Sequence, residues 1–235
     1  MIPATFDYVR VTSVADAVQA LSSAEDAKLL AGGHSLLPLM KLRLAYPETL
    51  IDIGRVEEMK GVREDGNRLV IGAATTHYDV LSNPLVQQHC GVIADVTAKV
   101  GDPQVRHRGT HGGSLAHGDA ASDMPAMALA LNARFVAEGP NGRRDIKASD
   151  FFSDYLETAL APDEVLVRSF ERALELGAMP TVHAENGELV AKVTTEQAAA
   201  GIVIDRRTLL PDWDGRPLDL NGAVHALLGH ESLSP

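Results

Sequence analysis

The chain has 235 residues, 45% hydrophobic and 23% charged, a globular composition that excludes disordered, collagen-like and fibrous classes. Its 21 basic and 32 acidic residues give a net charge of −11, and no local run of Lys and Arg offsets it, so sequence-independent binding to nucleic acid or anionic lipid is not expected. A single cysteine, Cys90, excludes an intrachain disulfide framework and any four-thiolate metal or iron–sulfur centre from this chain alone, and reads as a small buried apolar residue.

In chain order, Ser13 with Asp16 three residues on forms a capping box, and Val14, Ala17, Val18 and Leu21 keep helical spacing behind it. Lys28 to Ala31 reads as a short strand running into Gly32-Gly33-His34-Ser35, Leu36 to Leu44 as a helix, and Thr49 to Ile53 as another strand. This β-α-β-α-β order predicts a small lobe with parallel pairing, ending at a boundary near Ile53 to Glu57. Beyond it, Asp65-Gly66-Asn67 and Gly139-Pro140-Asn141-Gly142 predict two hairpins, joining Val62–Glu64 to Arg68–Ile71 and Ala133–Glu138 to Arg143–Lys147. Helical spacing at Ile93, Val96 and Val100 and the apolar stretch Met124–Leu131 lie between them, and Val165–Phe170 predicts the closing strand of an α+β second lobe. Ser169–Gly177 then reads as a helix, Pro180–Ala184 as a strand and Glu196–Ala200 as weakly helical. With no basic leader and no apolar run of the ~18 residues a membrane span needs, a soluble cytoplasmic protein without a membrane span is expected.

Chemistry concentrates in two glycine-rich segments, Ala31-Gly32-Gly33-His34-Ser35 and Gly109-Thr110-His111-Gly112-Gly113-Ser114. Each pairs consecutive glycines, which let backbone approach a ligand, with a hydroxyl, the makeup of an anion nest as well as of an ordinary turn. The first also opens a predicted helix, whose N-terminal N–H groups favour phosphate. Neither fits the Rossmann or P-loop spacing. Two such segments with matching serines point to a diphosphate held between lobes. His34, His111 and His117 lack a cysteine or carboxylate at ligand spacing, so no metal site is expected. Arg106 and Arg108 are open to a phosphate contact or to a solvated or intersubunit role, and Asp119 and Asp123 would share a helix face without evident catalytic purpose.

The first segment, followed by Arg106-His107-Arg108-Gly109-Thr110-His111-Gly112-Gly113-Ser114-Leu115-Ala116-His117 and Asp119-Ala120-Ala121-Ser122-Asp123-Met124-Pro125-Ala126, resembles the FAD-binding middle subunit of the molybdenum hydroxylases, the carbon monoxide dehydrogenase and xanthine dehydrogenase type. The resemblance covers about residues 3–167, including Phe6-Asp7-Tyr8, Gly101-Asp102-Pro103-Gln104 and Asp150-Phe151-Phe152. It implies an α+β, two-lobed FAD-binding (PCMH-type) fold: a small β-α-β lobe at 1–55, a larger mixed-sheet lobe at 56–168 and an atypical C-terminal region at 169–235. It further implies that Ala31, Gly32, Gly33, His34 and Ser35 wrap the FAD pyrophosphate, that Thr110, Gly112, Gly113 and Ser114 form the second pyrophosphate and ribityl contact, and that Asp123 accepts from FAD hydroxyls. His111 occupies a position usually aliphatic in that family, where it would pack near the flavin or alter its electrostatics. The implied role is electron transfer, with a molybdopterin-binding large subunit and a [2Fe-2S] small subunit as partners; the alternative is a non-catalytic assembly subunit that binds FAD weakly or not at all. Residues 168–190 resemble instead a segment of dihydropyrimidinases and hydantoinases in which the counterpart of His183 is a metal ligand; the other ligands have no counterpart here, and a (β/α)₈ barrel of ~250 residues does not fit.

Overall fold

A computed structural model describes residues 2–66 and 68–172, the last two by backbone alone. Strand β1 (Asp7–Arg10) leads into helix α1 (Val14–Ser23), where Ser13 Oγ accepts the Asp16 N–H at 3.1 Å and the apolar residues at the predicted spacing are buried. Ser13→Ala, removing that cap, is expected to lower stability by about 1 kcal/mol in urea unfolding. Strand β2 (Ala27–Leu30), helix α2 (Leu36–Lys41) and strand β3 (Thr49–Asp52) complete a parallel sheet in which β3 lies between β1 and β2. Its central position buries Leu50 and Ile51. The helix predicted to reach Leu44 ends at Lys41, because Arg43 takes φ 59° and a left-handed residue cannot continue a right-handed helix.

Both predicted hairpins form. Strands β4 (Val62–Asp65) and β5 (Arg68–Gly72) make the first; helices α3 (His77–Ser82), α4 (Pro84–His89), α5 (Gly91–Lys99), α6 (Pro103–Arg108), α7 (His111–His117) and α8 (Asp123–Ala130) follow. Then come the hairpin of β6 (Arg134–Gly139) and β7 (Gly142–Lys147), a small one of β8 (Phe152–Asp154) and β9 (Glu157–Thr158), and strand β10 (Val165–Arg172). β10 inserts between the two large hairpins, giving an antiparallel sheet of order β4-β5-β10-β6-β7. Leu69, Ile71, Phe135 and Val165 pack there with Ile93, Leu115 and Met124 from the helices, and α1 adds Val14, Ala17, Val18 and Leu21 to the same apolar cluster. The core is therefore continuous between the two sheets, which fixes the small sheet's loops relative to the helical layer.

Two readings are corrected here. The strand predicted at Val165–Phe170 forms and runs on to Arg172, which overturns the helix predicted to begin at Ser169: Ser169 and Phe170 pair with Ile71 and Val70 on one side and Phe135 and Arg134 on the other. Two flanking strands with open edges outweigh local helix propensity. The rest of that predicted helix, the elements at Pro180–Ala184 and Glu196–Ala200, and His183 lie outside the described residues. The second correction concerns charge: the sequence shows no basic cluster, yet strand register gathers one. Arg63, Arg68, Arg134, Arg143 and Arg168 share a face of the five-stranded sheet over buried Val70 and Val136. Burial first, then the charges of Arg63 and Arg143, lower the Arg168 pKa. Asp65, Asp145 and Glu138, the last paired with Arg143 at 2.5 Å, interleave with these cations.

Candidate functional site

The first glycine segment is the loop between β2 and α2. Gly33 has φ 76°, a conformation that turns the chain from strand to helix and is open to glycine at little cost. The second segment follows α6, and it is less a turn than a capped helix start: α7 begins at His111, and Thr110 Oγ1 accepts the Gly113 N–H at 3.2 Å. The segments touch. A Cβ on Gly32 would lie 2.2 Å from Arg108 O and 2.7 Å from Gly109 Cα, and one on Gly112 would lie 2.3 Å from Ala73 Cβ. Thus Gly32 seats the small sheet's loop against the α6–α7 junction, while Gly112 seats α7 on the strand end at Ala73. Between them opens a cleft of about 730 Å³.

The backbone amides of the two segments differ in what remains free. Among the described residues no acceptor takes the N–H groups of Gly32, Gly33, His34 or Ser35, and Ser35 Oγ caps nothing in α2. At α7 the N–H groups are spent: His111 N–H on Thr75 O at 2.9 Å, Gly112 N–H on Ala73 O at 2.9 Å, Gly113 N–H on Thr110 Oγ1 and Ser114 N–H on Thr110 O at 3.1 Å. The first loop therefore offers amide donors, and the second offers hydroxyls. α2 and α7 have six and seven residues, so donors in the first turn matter more than any long helix dipole.

All five residues Ala31–Ser35 line the cleft, as do Thr110, Gly112, Gly113 and Ser114. His111 does not; it is fully buried on the sheet side of α7, with Nε2 3.0 Å from Ser169 Oγ. Asp123 is exposed as the first residue of α8 and outside the lining, to which Ser122 and Asp119 contribute. Asp119 precedes the α8 cap, so the two carboxylates do not share a helix. Arg106 is committed elsewhere, its Nη1 donating to the carbonyls of Ala98, Val100 and Gly101 at the end of α5. Among the described residues, no group of three or more His, Cys, Asp or Glu is placed to hold a metal ion.

One lining residue escaped the sequence reading. His77, the first residue of α3, is 1% exposed and places Nε2 3.0 Å from Ser114 Oγ. Its N–H donates to Gly109 O at 2.9 Å, and Thr76 bridges to Thr110, so α3 braces the second segment directly. Burial, followed by the charges of His111 and Arg106, lowers the His77 pKa to about 4. Its partner lies 37 positions away, and no local pattern announces that pairing.

Residues 4–170 match the family model described as the FAD binding domain in molybdopterin dehydrogenase. The chain belongs to this family. It is 51% identical over 168 residues to the carbon monoxide dehydrogenase medium chain of Hydrogenophaga pseudoflava, covering 71% of this chain and 58% of that one. It is 42% identical over 159 residues to the nicotine 6-hydroxylase medium subunit of Paenarthrobacter nicotinovorans, covering 68% and 56%. Among solved structures, carbon monoxide dehydrogenase from Hydrogenophaga pseudoflava lacking the Mo-pyranopterin moiety matches with a TM-score of 0.74 at 50% identity, over 75% of this chain and 62% of that one. The chain thus spans less than two thirds of these relatives. Its described part is the FAD-binding domain, and no helix among the described residues is long and apolar enough to cross a membrane.

A dinucleotide cofactor fits this site on physical grounds. The cradle is glycine where a Cβ would collide, its free donors are uncharged amides and hydroxyls, and the carboxylates of Asp119, Glu157 and Glu164 in its lining are acceptors of the kind sugar hydroxyls need.

Proposed function

We propose that this chain is the FAD-binding electron-transfer subunit of a multisubunit molybdenum hydroxylase acting in the cytoplasm. The observation that carries the reading is the direct contact of the two glycine segments at one cleft, free amides on one side and hydroxyls on the other. The N–H groups from Gly32 to Ser35 would hold the diphosphate, with the hydroxyls of Thr110 and Ser114 as further donors; Gly113 keeps the cleft wall low there, and Gly112 serves it by seating α7 on Ala73. His34 lines the same wall, and Asp123, beside Ser122, accepts from sugar hydroxyls at the cleft margin. His111 acts from behind α7, holding the helix to β10 through Ser169.

FAD held here would supply the redox chemistry, electron transfer between iron–sulfur centres of a partner subunit and an acceptor. This chain's own residues bind and orient it, and none is assigned a catalytic role. With only Cys90, buried at 1% exposure, the chain cannot ligate a [2Fe-2S] cluster by itself, which supports a separate iron–sulfur subunit beside a molybdopterin-binding large subunit. In this reading residues 1–55 and 56–168 are the two lobes that hold the cofactor, with β10 carrying the second lobe's sheet on to Arg172 within the region predicted as atypical, 169–235.

The protein purified with FAD available is expected to show a flavin absorption spectrum and to release FAD on denaturation. Gly113→Val, whose Cβ would sit 2.6 Å from Thr110 Oγ1 in the cleft wall, is expected to lose retained flavin. Wild-type protein that stays colourless and shows no FAD affinity by titration overturns the reading; if it nonetheless assembles with large and small subunits, it is an assembly subunit instead.

A further inference from the structure

We propose that His77 is a positioning residue of the cleft: it donates its Nε2–H to Ser114 Oγ and so leaves the serine's own O–H to point into the cleft as a donor to the diphosphate. This deepens the flavoprotein reading and rests on it.

The argument begins with a neutral imidazole, which has one N–H to place. His77 Nδ1 is buried without a hydrogen-bond partner, while Nε2 faces Ser114 Oγ at 3.0 Å. Protonating Nδ1 would orphan a buried N–H and also make Nε2 the acceptor of the Ser114 proton, withdrawing the hydroxyl from any ligand. Protonating Nε2 leaves only a lone pair unmatched, the cheaper outcome, because a buried donor without an acceptor bears the full cost of its lost hydration. The ring is 1% exposed and stands against Gly109, whose missing side chain leaves room for it, and the His77 backbone N–H donates to Gly109 O. Burial and the neighbouring charges of His111 and Arg106 keep the ring neutral at physiological pH. Because the amides at the start of α7 are already bonded, the second segment has chiefly the Thr110 and Ser114 hydroxyls to offer an anion, which makes the direction of the Ser114 proton consequential.

The test is a double-mutant cycle on the full chain, with FAD titrated by flavin fluorescence and folding followed by urea unfolding. His77→Leu is expected to weaken FAD binding about tenfold in the wild-type background and less than twofold in Ser114→Ala, since the hydrogen bond is then already gone. His77→Gln, whose amide N–H₂ reaches the Nε2 position, is expected to stay within about threefold of wild type, whereas the shorter His77→Asn falls with His77→Leu. If His77→Leu does not fold, the Gln and Asn pair carries the same comparison. Equal losses from His77→Leu in both backgrounds, or equal affinities of the Gln and Asn variants, overturn the proposal alone. Wild-type protein that takes up no FAD overturns both it and the flavoprotein reading.

Discussion

Gly32→Ala is expected to weaken FAD binding ten- to a hundredfold, although it adds one methyl group. That methyl would lie 2.2 Å from Arg108 O, 2.7 Å from Gly109 Cα and 2.8 Å from the Arg108 carbonyl carbon. These are backbone atoms with no rotamer to move, so the first loop and the α6–α7 junction must part by roughly 1 Å to recover ordinary contact. Overpacking of this kind costs about 1–3 kcal/mol. If the loops separate rather than strain, the same energy appears as lost complementarity to a diphosphate that must touch both, and each 1.4 kcal/mol or so is tenfold in affinity. Gly142→Ala provides the contrast. Gly142 has φ 99° but nothing within 4 Å of an added Cβ, so the substitution strains the β6–β7 hairpin by about 1–2 kcal/mol in unfolding and leaves FAD affinity unchanged. A Gly32→Ala protein that binds FAD like the wild type would show that the cleft does not depend on the two segments touching.

The same contact marks where the sequence stops being legible. Local chemistry announces itself: Ser13 with Asp16 starts α1 where the spacing predicts, and both large hairpins sit at their glycine turns. Both glycine segments are visible as candidate anion sites because their composition is unusual in itself. Several short helices could have been read as well, since Asn83-Pro84 and Asp102-Pro103 each place a capping residue before a proline at the first helical position. What stays hidden is whatever depends on pairing at long range. The closing strand is legible as far as Phe170, but its run on through Glu171 and Arg172, where the local pattern reads helix, follows from the edge that β5 leaves for it. The arginine face is dispersed over five strands and appears only when register aligns it. Above all, the division of labour in the cleft follows from Ala73 and Thr75 consuming the first amides of α7, which no reading of Thr110 to Ser114 alone could anticipate.

Acidification should destabilise the protein chiefly through His77. Its pKa is lowered from the ordinary 6.5 to about 4 in the folded protein, with burial the leading cause. Between those values the unfolded chain binds a proton that the folded chain does not, so stability rises with pH; the contribution is complete above about 6.5 and is lost as pH falls towards 4. The loss amounts to about 2 kcal/mol by pH 5 and about 3 kcal/mol by pH 4. Asp52 and Glu164, half-buried carboxylates whose pKa values are also lowered, lose their contribution only as pH falls through and below the ordinary carboxylate range, so they add little above pH 5. Urea unfolding of wild type and His77→Gln at pH 7.5 and pH 5 isolates the effect, since glutamine does not titrate. The wild type is expected to lose about 2 kcal/mol more than the variant between these pH values; equal losses would mean that the ring is charged or hydrated in the folded protein. Protonation would also put a second buried N–H on the Nδ1 side, where no acceptor stands, so relief requires the ring to leave its place beneath Gly109 and Ser114. FAD release as the pH falls to about 4 should therefore precede global unfolding in the wild type and be absent over the same range in His77→Gln.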